Sequence, residues 1–231
     1  MNISDDPFTQ ISQRILAAAA ARSSTNPPRA EVRLLAVSKT RSAAEVSALA
    51  ARGQRAFGEN YVQEALTKQR ELADPDIEWH LIGHLQSNKV REAAVAFDWV
   101  QTVDRIKLVG ALALNRPKER RPLNVLIQVN IDGEASKSGC RPGEIGALAE
   151  AIAAQPRLAL RGLMAIPTPD SDLCIRQAAF RALHSLFVEL RGRHEQIDAL
   201  SMGMSEDFEL AIAEGATLVR IGTALFGTRS Q

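Results

Sequence analysis

Residues 32–40 read Val32-Arg33-Leu34-Leu35-Ala36-Val37-Ser38-Lys39-Thr40. Four consecutive apolar residues, Leu34 to Val37, describe a strand covered on both faces, because a strand with one solvated face alternates apolar and polar residues. Strands covered on both faces belong to parallel sheets sheathed by helices. The run then closes on an amine, Lys39, and a lysine beyond a strand end is ordinarily a solvated surface charge. Its placement here needs a reason.

Outward from this run, short apolar segments alternate with longer stretches of helical periodicity, the pattern of repeated βα units. Strands are predicted at residues 32–38, 55–58, 78–82, 99–102, 124–130, 159–164, 199–201 and 218–221. Helices are predicted between them at 43–52, 61–73, 89–96, 105–115, 143–154, 174–193 and 207–214. A further helix at 4–22 precedes the series and is stopped by Asn26-Pro27-Pro28, since proline cannot donate a helical hydrogen bond and restricts the residue before it. Eight strands in this order predict an α/β fold, a single closed (β/α)8 TIM barrel spanning residues 1–231, with 1–28 as an N-terminal helix and linker. An open doubly wound sheet is the alternative.

Composition narrows the function classes. The chain has 231 residues, 28 basic against 27 acidic, so no field of one sign points to nucleic acid or an anionic membrane. Hydrophobic residues make up 45% and aromatics only 4%, so the core is built from Ala, Leu, Val and Ile, which suits helices on a sheet. Cys140 and Cys174 lack metal-site or disulfide spacing and are expected to be free thiols in a reducing, cytoplasmic setting. The Ala-rich run at 15–21 follows Asp5 and Asp6 rather than a basic region, so it reads as a helix and not a signal peptide. No apolar run reaches the roughly 20 residues that span a bilayer.

In a barrel, residues just past the strands converge on one mouth. Here they include Lys39, Gly58-Glu59-Asn60, His80 and Gly83-His84, Lys137, Met164, Ser201-Met202-Gly203-Met204-Ser205 and Arg220-Ile221-Gly222-Thr223. The Ser201–Ser205 segment sets a glycine and two hydroxyls before a helix, a place where free N–H groups and the helix dipole can hold an anion. Ser205 can equally be a plain helix cap. Gly222-Thr223 repeats the glycine and hydroxyl after the eighth strand, and the loops after strands seven and eight are where such barrels often take phosphate. Arg220 points into the barrel mouth, toward either the body of a ligand or an internal salt bridge. A lysine facing a phosphate pocket suggests pyridoxal phosphate, held covalently through its aldehyde and noncovalently through its phosphate.

The segments LLAVSKT, FGENYVQEA, WHLIGHLQSNK, GLMAIP and LSMGMSEDFELAIAEGATLVRIGTALFG occur in one order over nearly the whole chain. Together they resemble the family of pyridoxal phosphate homeostasis proteins, which have the alanine racemase N-terminal-domain type of barrel. The resemblance implies that Lys39 carries the cofactor as a Schiff base. It implies that Ser205, with Ser201 on the adjoining strand, and Gly222 and Thr223 hold the phosphate. Arg220 would lie near the pyridine nitrogen, where a guanidinium keeps that nitrogen unprotonated and weakens the cofactor as an electron sink. Asn60, His80 and Met164 would line the pocket, although His80 reads equally as a core histidine below the site. Lys137 matches a second family lysine near the mouth that could handle cofactor transiently, or it is a solvated loop lysine. No metal is expected.

Two readings of the function compete. One is a binding protein for pyridoxal phosphate that acts in vitamin B6 and amino-acid homeostasis and passes the cofactor to pyridoxal phosphate-dependent apoenzymes, with at most weak side activity. The other is an amino-acid racemase or decarboxylase. Enzymes of the alanine racemase type complete their site with a β domain that supplies a second base. The sequence ends ten residues after Ile221, so that domain is expected to be missing and the first reading is favoured, as a monomer or weak dimer.

Overall fold

The computed structural model describes residues 6–22, 31–72, 74, 76–134, 137–168 and 172–227. Eight strands occur in it: β1 Arg33–Val37, β2 Ala56–Glu59, β3 Glu78–Leu81, β4 Trp99–Val103, β5 Leu123–Gln128, β6 Leu158–Met164, β7 Ala199–Met204 and β8 Leu218–Ile221. Each pairs in parallel with the next, and β1 pairs with β8 through Leu35 beside Arg220 and Ala36 beside Ile221, which closes the barrel. The open-sheet alternative is thereby excluded.

The helices are α1 Pro7–Ala21, α2 Ala43–Ala50, α3 Val62–Glu71, α4 Val90–Ala96, α5 Ile106–Asn115, α6 Ile145–Ala153, α7 Leu173–Arg191, α8 Phe208–Ala213 and α9 Thr223–Phe226. Sequence rules account for several ends. Asp6 caps α1 by accepting from Thr9 N, with Pro7 in the first turn, and Ser42 and Glu45 form a reciprocal capping box on α2. α1 buries Ile11 and Ile15 and meets α8, where Arg14 pairs with Glu209 at 2.8 Å and lies over the Phe208 ring.

The strand alternation divides the core in two. Outward residues such as Ala36, Phe57, Trp79 and Val100 join the helices in one large apolar cluster. Inward residues form two small clusters, Leu35, Ala56, Ile82 and Leu218 on one side, and Trp99, Leu126, Met164 and Ala199 on the other. The interior therefore has two apolar halves, and buried His80, Gln101, Ser201 and Arg220 belong to neither.

Three differences from the expected elements matter. β7 continues to Met204, so the SMGM segment is strand rather than loop; Gly203, at φ 89°, allows this, because a Cβ there would lie 2.5 Å from that of Ala211 on α8. α8 is correspondingly short, six residues. α9 was not expected, since four residues carry no periodic signal. Cys140 is buried and Cys174 exposed, both unpaired; burial pushes the Cys140 thiol up to about 12. Among the described residues no helix is long and apolar enough to cross a membrane, and no cluster of three metal-ligating side chains occurs.

Candidate functional site

Lys39 follows β1 directly, half-buried in a turn closed by Arg41 N donating to Ser38 O at 3.0 Å. Among the described residues its amine has no hydrogen bond or ion pair. Its neighbours, by contrast, are tied to one another, with Glu59 Oε2 the one buried oxygen of the group left without a partner among the described residues. Ser38 N donates to Gly58 O, and Ser38 Oγ donates to Glu59 Oε1 at 2.5 Å. Lys68 Nζ donates to Ser38 O at 2.6 Å and to Glu59 Oε1 and Glu64 Oε1 at 2.7 Å each. Glu64 also accepts from Thr40 N. Thr40 sits at φ 62°, a left-handed conformation unusual for a β-branched residue, so this turn is strained and held from outside. Burial pushes the Glu59 carboxyl up, with Lys68 and Ser38 acting against that rise.

On the other flank, Met204 at the end of β7 lies beside Arg220 in β8, so Ser205, Gly222 and Thr223 all follow strand ends at the same rim of the barrel. A Cβ on Gly222 would be 3.3 Å from Val37 O, so the loop after β8 packs closely on the end of the strand that carries Lys39. Ser205 does not cap α8: the capping position is Asp207, whose Oδ1 accepts from Met204 N at 2.7 Å. The hydroxyls of Ser205 and Thr223 have no hydrogen-bond partner among the described residues, and Gly222 gives α9 no side-chain cap. Three strand ends, β7, β8 and β1, thus bring two unengaged hydroxyls, the first N–H groups of a helix and one free amine to the same end of the barrel.

Arg220 lies behind them, 3% exposed. Its Nη1 donates to Ser201 Oγ and its Nη2 to Ala165 O, each at 2.8 Å, and no carboxylate pairs with it among the described residues. Burial pushes its guanidinium down to about 10, opposed by the charge of Asp207 farther off. The internal salt bridge left open by the sequence is therefore not what occupies it.

The remaining expected residues fall in three places. Asn60 stands at the mouth, where with Tyr61, Gly83, His84 and Lys89 it lines a cavity of about 410 Å³; its backbone carbonyl lies so near Gly83 that a Cβ there would approach to 2.1 Å. Met164, Ser201 and His80 lie fully buried beneath the mouth, Met164 in the apolar cluster with Trp99. Both ring nitrogens of His80 are engaged, by Glu78 and Gln101, and its ring stacks on Trp99 at 5.1 Å, which places it as the core histidine of the two readings. Lys137 is half-buried and paired with Asp132 at 2.9 Å, with a further hydrogen bond to Thr168, so it is not a freely solvated loop lysine.

Sequence reasoning missed Lys68, Glu64 and Gln101 and assigned no role to Glu59. A usable signal existed for Gln101: an amide at an inward position of an otherwise apolar strand must find partners inside. None existed for Lys68, which looks like any other lysine on a helix.

Three comparisons bear on this site. The model of the alanine racemase N-terminal domain matches residues 16–230. The pyridoxal phosphate homeostasis protein of Pseudomonas aeruginosa is 56% identical over 200 residues, 87% of this chain and 86% of that protein, and its Escherichia coli counterpart is 51% identical over 217 residues, 93% and 92%. The structure of PipY from Synechococcus elongatus with pyridoxal phosphate bound has a TM-score of 0.80 at 39% identity and covers 94% of this chain and 100% of that one. An alanine racemase of Corynebacterium glutamicum shares the fold alone, with a TM-score of 0.69 at 17% identity over 97% of this chain and 62% of the racemase.

Proposed function

The chain belongs to the pyridoxal phosphate homeostasis proteins and to the wider alanine racemase N-terminal-domain family, and from that premise we propose that it binds pyridoxal phosphate at Lys39 and serves cofactor homeostasis. One observation carries the reading: a buried guanidinium without a carboxylate, one strand from an unengaged amine and flanked by unengaged hydroxyls. A site with three sets of unused donors calls for a ligand with acceptors at both ends, and an aldehyde ester of phosphate with a ring nitrogen meets all three. When bound, that cofactor supplies an aldehyde open to attack by an amine and a ring that draws electrons.

The chain's own residues divide the work. Lys39 forms the covalent link. Ser205, Gly222 and Thr223 hold the phosphate through hydroxyls and backbone N–H groups. Arg220 only donates, so it holds the ring nitrogen as an acceptor and blunts the ring's pull on electrons. Asn60 lines the mouth, Met164 and Ser201 shape the floor of the pocket, and His80 lies below it in the core.

The same geometry favours a carrier over a racemase. Moving a proton on the face opposite Lys39 needs a second base, and of the groups of that kind His80 is engaged between Glu78 and Gln101, Lys137 with Asp132 and His84 through Nδ1 with Ser138. We read residues 1–231 as one barrel unit of the cytoplasm, a monomer or weak dimer, that takes up the cofactor and releases it to apoenzymes, with Lys137 handling it at the mouth.

The experiment is borohydride reduction of the protein incubated with pyridoxal phosphate, followed by peptide mapping. A single label at Lys39, lost in Lys39→Ala, is the expected result; a label elsewhere, or none, overturns the reading. Fast, Lys39-dependent racemisation of amino acids would overturn the carrier assignment alone.

A further inference from the structure

Inside the barrel one chain of hydrogen bonds runs from Arg220 to Arg33, and the placement of every proton in it is forced. Arg220 has only donors, so Ser201 Oγ accepts from it at 2.8 Å. Ser201 Oγ donates to Gln101 Oε1 at 2.7 Å, which leaves the Gln101 NH2 facing His80 Nδ1 at 2.9 Å. His80 Nδ1 is then the acceptor and its ring proton sits on Nε2, which donates to Glu78 Oε1 at 2.6 Å. Glu78 accepts from Arg33 as well, at 2.6 Å.

The far end enforces the same order. Burial alone would raise the Glu78 carboxyl, but the hydrogen bond from His80 and the charge and hydrogen bond of Arg33 act against it and hold it below its ordinary value, ionised at neutral pH. An ionised carboxylate demands a proton on His80 Nε2. A flipped Gln101 would set Oε1 against the lone pair of Nδ1 and take away the acceptor of the Ser201 hydroxyl proton. The chain therefore has one low-energy arrangement, fixed by a cation at the top and a carboxylate at the bottom.

We propose that Gln101 and His80 are positioning residues for Arg220. They lock the Ser201 hydroxyl as an acceptor, and with Ala165 O this holds the guanidinium at the one attitude that leaves its remaining N–H groups for a ring nitrogen. A lone serine could not do this, because its hydroxyl rotates among acceptors. The consequence is ligand selectivity: the protein prefers a pyridine ring to a carbocyclic one of the same shape. The inference rests on the reading of the site as one for pyridoxal phosphate.

The test compares affinity for pyridoxal phosphate with affinity for its analogue that has C–H in place of the ring nitrogen. The wild type is expected to prefer pyridoxal phosphate by about tenfold, the worth of one charge-assisted hydrogen bond. His80→Asn offers an amide oxygen near the place of Nδ1 and is expected to keep that preference. His80→Leu and Gln101→Leu are expected to lose it while still binding the analogue as the wild type does. If Gln101→Leu does not fold, the two His80 variants decide. Equal preference in His80→Asn and His80→Leu, or a parallel loss of both ligands, overturns the inference. A wild type that binds both ligands equally overturns the role given to Arg220, and one that binds neither overturns the functional reading and the inference together.

Discussion

The buried polar groups of this protein fall into two systems of opposite design, one between the sheet and α3 and one inside the barrel. Beneath Lys39, a buried lysine, Lys68, meets two carboxylates, Glu59 and Glu64, so the cation has anionic partners, and the cluster reaches the backbone of one turn through Ser38 O and Thr40 N. Beneath the loops after β7 and β8, the buried Arg220 meets a hydroxyl and a carbonyl and, through Ser201 and Gln101, a histidine that burial holds toward its neutral form. The first system spends its charges on the protein. The second leaves a cation without a carboxylate among the described residues, and it is there that we propose a ligand. A compensated ion cluster holds a backbone in a strained place, whereas an uncompensated one marks where a ligand completes the fold.

The difference can be broken from the compensated side. Lys68→Met leaves Glu59 buried without a cation and is expected to destabilise the protein by about 3–5 kcal/mol in urea unfolding. Removing the charge at Glu59 as well, in Lys68→Met with Glu59→Leu, is expected to recover part of that loss, because an apolar pair replaces an unpaired charge. If Lys68→Met unfolds like the wild type, the cluster is not holding the turn.

Arg220 should behave in the opposite sense. With no carboxylate to orphan, Arg220→Met is expected to change the stability of the ligand-free protein by no more than about 1 kcal/mol, while affinity for pyridoxal phosphate falls about ten- to hundredfold. Paired urea titrations with and without the cofactor separate the two effects. A ligand-free protein destabilised as much as Lys68→Met would erase the contrast.

The histidine below Arg220 sharpens the contrast through pH. Burial pushes His80 down from its ordinary value, with the Glu78 hydrogen bond opposing, so below about pH 6.5 the unfolded chain takes up a proton that the folded one refuses. Stability is then full above that pH and declines as pH falls toward the lowered folded value, by at most about 1.4 kcal/mol per pH unit for one group. His184, also pushed down by burial, adds to the slope, so His80→Asn is expected to make the decline shallower rather than abolish it. An unchanged slope would mean that His80 is not held neutral.

The smallest expected effect concerns the strain that the ion cluster contains. Thr40→Gly relieves a left-handed φ at a β-branched residue and is expected to raise stability by about 1 kcal/mol or less, since glycine loses more chain entropy. The same variant is expected to slow borohydride trapping at Lys39, because the turn is no longer held in one shape.

Much of this was open to reading in the chain. The apolar run at 34–37 and its seven successors recur with helical stretches between them, and eight such units have few ways to pack, so the barrel and the mouth were both legible. Lys39, Ser205, Gly222 and Thr223 stood out as candidates for the same reason: they stand where strands end. The length of β7 was not legible, because Gly203 looks like a loop residue until the helix that crowds it is present. Lys68 was not, because it approaches Ser38 across thirty positions of sequence.

What the sequence determined by itself is local: which segments are strand or helix, and that donors of the right kind follow the strands. Periodicity and turn chemistry are properties of neighbouring residues, and they need no third dimension. Which donors are free was decided by the tertiary structure alone. Lys39 and Lys68 are the same residue type, as are Arg220 and Arg14, and only the groups brought to them from elsewhere in the chain make Lys68 and Arg14 structural and leave Lys39 and Arg220 with donors unspent. Pairing depends on contacts between residues far apart in sequence, and those exist only once the barrel has closed.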